Sequence, residues 1–165
     1  MADIEFEQLV NDRGRSVLNT ALRVLGNVEA AQDVYQEVFL SIWRRWHKFN
    51  GEVRWSGYLY RTTIRCAIDH ARKQRKLSTF DPNNVTIESK NSPDESMKAV
   101  ELGHKLAVHL AELPKNQAEV FVLSRIEGLS HEEIAEMLGF SRSTAAVHLH
   151  RALKRLGHDF RDYVK

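Results

Sequence analysis

From Leu77 to Met97 the chain reads LSTFDPNNVTIESKNSPDESM, and there the helical periodicity that governs the rest of the sequence fails. Ser, Asn, Asp and Pro dominate, residues that favour turns and linkers. A structureless loop of about 20 residues is unusual inside one compact domain, so the stretch reads as a boundary between two units. On either side apolar residues recur at three and four residues, and no segment alternates as a half-buried strand does. The expected fold is all-α: two small helical domains joined by a flexible linker, divided at 1–77, 78–97 and 98–165.

In the first unit Phe6, Leu9, Val10, Val17, Leu18, Ala21, Leu22 and Leu25 predict one or two helices ending at Gly26. A second helix is expected from Val28 to Trp46, with Val34, Tyr35, Val38, Phe39, Ile42 and Trp46 inward. Phe49 to Trp55 reads as a loop, and Ser56 to Lys76 as a third helix burying Leu59, Thr63, Cys66 and Ala67. In the second unit a helix is expected over Met97–Leu113, and another starts at Pro114, carries Val120, Phe121 and Leu123, and ends at Gly128. Ser130 and Glu133 form a capping-box signature, with Leu129 and Ile134 placed as a hydrophobic staple. That short helix stops at Gly139, and a turn leads into a last helix from Arg142. Short helix, glycine turn, longer helix is the helix-turn-helix pattern.

Charge adds direction. The net charge is only +2, but Arg54–Lys76 holds seven cations against the single acid Asp69, and Arg142–Arg155 holds four and no acid. Two basic stretches suit two separate anion contacts. No run of about 18 apolar residues exists, the acidic start MADIEFEQLV has no secretory pattern, and Cys66 stands alone, so a cytoplasmic protein without a membrane partner is expected.

Around Leu149, at 100° per residue, Ala145, Ala152, Leu153 and Leu156 fall inward, while Ser143, Thr144, Val147, His150, Arg151 and Lys154 fall outward. A recognition helix needs this division: early residues reach base edges, and later cations meet phosphates. Arg142 and Ser143 can offer donors to a phosphate at the helix start. The same pattern also fits a solvated face on an ordinary bundle.

Eight of the fourteen aromatic residues lie between Tyr35 and Tyr60. Tyr35, Phe39 and Trp46 fit the core, whereas Phe49, Trp55 and Tyr58 sit in or beside the loop. Arg61, Arg65, Arg72 and Lys76 recur beside them at helical spacing. Aromatic rings next to a basic stripe make a platform and phosphate track for unpaired nucleic acid; a basic solvated face over an aromatic core fits equally. On the second helix Asp33, Gln36, Glu37 and Leu40 form an acidic-polar strip suited to a basic protein surface.

These segments resemble the bacterial sigma factors of RNA polymerase, in their small extracytoplasmic-function group. QDVYQEVFLSIW (Gln32–Trp43) resembles the region 2 helix that docks on the β′ coiled coil. KFNGEVRWSGYLYRTTIRCAIDHARKQRK (Lys48–Lys76) resembles the segments that melt and read the −10 element. ELPKNQAEVFVLSRIEGLSHEEIAEMLGFSRSTAAVHLHRALKRL (Glu112–Leu156) resembles region 4, which reads the −35 duplex. The resemblance implies polymerase docking by Asp33, Gln36, Glu37 and Leu40, with Trp43 beside them. It implies −10 contacts by Phe49, Asn50, Trp55, Tyr60, Arg61, Arg65 and Arg72, along with Asp69 and His70. It implies −35 contacts by Arg142, Ser143, Thr144, Ala146, Val147, His148, His150, Arg151 and Lys154. Implied partners are core RNA polymerase (β′ coiled coil and β flap), promoter DNA and an anti-sigma protein.

Three departures stand out. The docking helix opens Ala30-Ala31-Gln32-Asp33 where the family carries a cluster of acids. Ala146 and His148 replace the usual Lys and Arg, and Arg65 stands where Asn is frequent. Missing docking charge implies weaker polymerase affinity or an added source of negative charge; phosphorylation by a kinase at Ser41, Thr62 or Thr63 is the hypothesis.

Neither His148/His150 nor His104/His109 has metal-ligand spacing, no phosphate-binding or nucleophile motif occurs, and no cofactor, metal or catalysis is expected. Two other classes fit parts of the chain: a free-standing helix-turn-helix regulator, and a decoy that binds a regulator and never DNA.

Overall fold

The computed structural model describes residues 2–49, 51–78 and 106–157, and the side chains of 5–49, 51–75 and 106–157. Helix α1 spans Ala2–Leu25, α2 spans Val28–Arg44, and α3 spans Trp55–Ser78. The first stretch is therefore one continuous helix. It ends where Gly26 turns to φ 63, and Asn27 caps α2 by accepting from the Ala30 N–H at 3.0 Å. The three helices pack pairwise around Val17, Ala21, Val24, Val34, Val38, Ile42, Leu59, Ile64 and Ile68. Gly14 lies in this interface because a β-carbon there would meet the Tyr35 hydroxyl at 3.1 Å.

Two boundaries depart from the sequence expectation. α2 ends at Arg44 and Trp46–Lys48 form a 3₁₀ turn, so Trp46 leaves the helix. α3 runs to Ser78, two residues into the stretch read as linker. The rest of that stretch, and the expected helix over 97–105, lie outside the described residues.

Residues 106–110 are helical. Helix α4, Lys115–Phe121, follows Pro114, whose fixed φ of −54 leads into it. From Val122 to Ile126 the chain widens into a π turn, closed by Glu127 N–H to Val122 O at 3.0 Å. No local sequence signal marks it. Helix α5, His131–Leu138, is capped by Ser130, whose hydroxyl accepts from the Glu133 N–H at 3.1 Å. At its end Gly139 adopts the left-handed conformation, φ 74, and the Phe140 N–H reaches back to Ala135 O at 3.0 Å. Helix α6, Arg142–Leu156, packs Ala145, Leu149, Ala152 and Leu156 onto α4 and α5. All described elements are helices and turns, as expected.

The Gly139 turn sets the angle between α5 and α6, and its positive φ disfavours any β-carbon. Gly139→Ala is expected to cost about 1–2 kcal/mol, seen as a lower urea midpoint with an unchanged m-value.

Candidate nucleic-acid interface

The loop between α2 and α3 is held by its own rings. Trp46 and Trp55 stack, centroids 5.6 Å apart and 17° between planes, and Phe49 leans on Trp55 at 5.0 Å. Tyr58 meets Phe49 edge-on at 5.4 Å, and its hydroxyl accepts from Arg45 Nη2 at 3.1 Å. Phe6 of α1 closes the far side against Trp46, at 5.3 Å, and against Trp43. Phe49 and Trp55 are thus half-buried, and the platform they form is already assembled. The part played by Phe6 was missed in the sequence because it depends on tertiary packing. Asn50 lies outside the described residues.

The basic stripe of α3 faces the second half of the chain. Arg65 Nε donates to Glu119 Oε1 at 3.0 Å, and Arg61 Nε lies 3.8 Å from the same oxygen. Glu119 sits among Ala118, Val120 and Phe121, and its side chain is 3% exposed. Arg72 Nη2 donates to Leu113 O at 2.6 Å, and Arg75 Nη2 approaches Glu112 Oε1 to 2.7 Å. A second carboxylate, Glu127, follows the π turn. Arg23 of α1 grips it through two bonds, Nε to Oε1 at 2.7 Å and Nη2 to Oε2 at 3.0 Å. The Tyr60 hydroxyl donates to Oε2 at 2.6 Å. Burial, then that hydrogen bond, drives the Tyr60 phenol pKa well up, and the bond to Glu127 raises the Arg23 guanidinium against its own desolvation. Arg23, Glu119 and Glu127 went unflagged in the sequence. The only local hint was a carboxylate embedded in the apolar run of α4.

On α2, Asp33, Gln36, Glu37 and Leu40 are all exposed on the face opposite the Val34/Val38/Ile42 core. Leu40 is 47% and Trp43 43% exposed, an apolar pair beside two acids. Asp33 Oδ2 lies 3.6 Å from His70 Nε2 of α3. Ser41 is half-buried and donates to Val38 O. Thr63 is fully buried and donates to Leu59 O at 2.6 Å, so it is removed from the candidate phosphorylation positions: a kinase would have to open the core. Thr62 is half-buried on the same helix.

The outward face of α6 has the expected composition. Ser143, Thr144, Val147, His150, Arg151 and Lys154 are exposed, and Ala145, Leu149, Ala152 and Leu156 are buried. Ser141 caps the helix, accepting from the Thr144 N–H at 3.1 Å. Arg142 Nη1 reaches Glu132 at 3.1 Å, which ties the start of α6 to α5. Ala146 is half-buried at the flank of the face. His148 turns toward the inter-helix turn, its ring 5.3 Å from Phe140 and its Nδ1 buried without a hydrogen-bond partner. Five exposed side chains from Ser143 to Arg151, none of them acidic, line the outward face of α6.

Comparison with known proteins locates both halves. The family profile for sigma-70 region 2 matches residues 9–77, and that for sigma-70 region 4 matches 105–156. The chain is 31% identical to the RNA polymerase sigma-E factor of Streptomyces avermitilis, over 93% of this chain and 83% of that protein. It is 30% identical to the ECF RNA polymerase sigma factor SigE of Mycolicibacterium smegmatis, over 96% of this chain but only 61% of the relative's length. Its fold is similar to that of the sigma factor RpoE in complex with the anti-sigma factor NepR from Bartonella quintana. There the TM-score is 0.53 at 18% identity, over 92% of this chain and 94% of that one.

Half-buried Cys66 offers a check on the packing of α3. Burial pushes its thiol up from 9.0 to about 11, with Glu37 and Asp69 adding to the shift. Alkylation by iodoacetamide is expected to accelerate through pH 11 in the native protein, and near the ordinary thiol range after denaturation in urea.

Proposed function

Because the chain belongs to the sigma-70 family of RNA polymerase sigma factors, in its extracytoplasmic-function group, we propose that it binds core RNA polymerase and directs it to promoters. Residues 1–77 would dock and hold the melted −10 strand, 98–165 would read the −35 duplex, and 78–97 would join them. The observation that carries this reading is the pairing, in one chain, of an exposed acidic-apolar face on α2 with an acid-free exposed face on a helix-turn-helix.

Asp33, Gln36, Glu37 and Leu40, with Trp43 beside them, suit a basic helical surface such as the β′ coiled coil, with a second contact to the β flap. Glu37 supplies charge and Leu40 supplies apolar area. Phe49, Asn50 and Trp55 would line the capture site for a flipped −10 base, whose unstacking costs a few kcal/mol that stacking and edge hydrogen bonds offset. Tyr60, Arg61, Arg65 and Arg72 would follow the strand's phosphates. On α6, Ser143, Thr144 and Val147 reach toward base edges, Ala146 and His148 flank them, and Arg142, His150, Arg151 and Lys154 meet phosphates. RNA synthesis stays with the polymerase, and the chain contributes recognition.

The setting is the cytoplasm, where polymerase and chromosome are, and the relative bound to NepR makes an anti-sigma protein a further proposed partner. The short supply of acids at Ala30-Ala31-Gln32 leaves Ser41 and Thr62 as the phosphorylation positions to test.

Titration of labelled protein against purified bacterial core polymerase is the direct test. Saturable binding is expected, weakened about ten-fold by Glu37→Lys, or ~1.4 kcal/mol. Absence of binding, with tight duplex binding by the chain alone, would assign it to free-standing regulators. For the −35 contact, Arg151→Ala in the holoenzyme is expected to lower the slope of log affinity against log salt by about 1.

A further inference from the structure

On the flank of α6 one imidazole nitrogen is sealed and the other is open. His148 is half-buried, its ring 5.3 Å from that of Phe140 and tilted 40° to it, and its Nδ1 is buried without a hydrogen-bond partner. Among the described residues Nε2 has no protein partner either, and it is the nitrogen that solvent reaches. A hydrogen on Nδ1 would place an N–H where nothing accepts it, which folded proteins tolerate less readily than an unused acceptor. An imidazolium would put charge on that same sealed N–H, and α6 carries no acid to balance it. The ring is therefore held as the neutral tautomer with its hydrogen on Nε2, a donor without charge.

His148 lies about 100° round the helix from inward Leu149, whereas Thr144 and Val147 lie about 140° and about 160° round. A helix that turns Thr144 and Val147 to the floor of a major groove turns its flank to the wall, which is sugar and phosphate. We propose that His148 seats α6 by donating one uncharged N–H, from Nε2, to a phosphate oxygen on the groove wall of the −35 duplex. The proposal rests on the reading of α6 as the −35 helix. The difference from the Arg usual in the family is one of range. A guanidinium attracts any phosphate within a Debye length, in any register. A neutral N–H acts only at hydrogen-bond distance, so it rewards the fully seated helix and adds nothing to loose association.

Two measurements test this. Long-range proton–nitrogen NMR of the free full-length chain reads the tautomer, with His148→Gln identifying the signal. The hydrogen is expected on Nε2; a hydrogen on Nδ1, or on both nitrogens above neutral pH, would overturn the proposal. In the holoenzyme the probe is a randomised duplex pool, from which the wild-type protein enriches a −35 motif. His148→Ala is expected to weaken binding to the enriched duplex about ten-fold. The motif and the slope of log affinity against log salt should both stay as they are. His148→Gln, whose amide nitrogen sits near the place of Nε2, should restore most of the affinity, and His148→Asn, which reaches only as far as Nδ1, should not. His148→Arg should steepen the salt slope by about 1. A shallower slope in His148→Ala would make the contact ionic, loss of one motif position would make it a base contact, and unchanged affinity would remove it. Each of these overturns the proposal and leaves the −35 reading standing. No enriched motif, or no effect of Arg151→Ala on binding to it, would overturn the proposal together with the −35 reading.

Discussion

A carboxylate taken out of water needs a cation beside it, and Glu119 and Glu127 find theirs in the other half of the chain. Their placement fixes how α4 and the π turn lie over α1 and α3. Burying such pairs adds little net stability, because desolvation consumes most of the Coulombic gain. Removing one partner is costly, since it strands a charge. The contact is therefore strong in register and weak in net affinity. That combination distinguishes it from the apolar packing, where Ile42, Ile64, Ile134 and Leu149 are withdrawn from solvent.

The ion pairs set register beside apolar packing that is shared: the buried residues of both halves, from Leu9 to Leu156, form one cluster. Within the second half the turn geometry is set locally by Ser130, Gly139 and Ser141, whose caps and left-handed turn aim α6. Within the first, the Trp46/Trp55 stack holds the loop after α2. Both proposed DNA surfaces are thus framed in part by contacts local to their own half. Under the proposed function, tethering two modest contacts on one polymerase would raise the effective concentration of the second, so neither needs to be tight.

Much of this was legible in the sequence, and the boundary of legibility is physical. The inward face of α6 follows from 100° per residue because Leu149 and its neighbours at three, four and seven positions obey one period. Ser130 and Gly139 carry conformational preferences in their own side chains, or lack of one. The outward positions of Asp33, Gln36, Glu37 and Leu40 also follow from periodicity. The partners of Arg61, Arg65 and Arg72 do not. They lie 41 residues or more away in sequence, across the linker, and no local preference pairs them. The π turn at Val122–Ile126 has no residue signature, and without it the position of Glu127 cannot be placed. Phe6 reaches the loop aromatics only once α1 lies against α2. His148 was drawn into the −35 set by the resemblance and not by periodicity, and its ring lies 5.3 Å from that of Phe140.

The modest net charge of +2 also finds its place here. A surface meant to bind polyanions gains from many cations, but a free chain carrying them bare would adhere to nucleic acid without discrimination. Pairing Arg61, Arg65, Arg75 and Arg23 with internal carboxylates lowers the exposed positive charge while keeping every guanidinium in the sequence. Under the proposed function, a DNA strand that follows α3 would take the place of Glu119 at Arg61 and Arg65 and of the Leu113 carbonyl at Arg72, so its affinity would be the gain in phosphate contacts less what those internal partners give up.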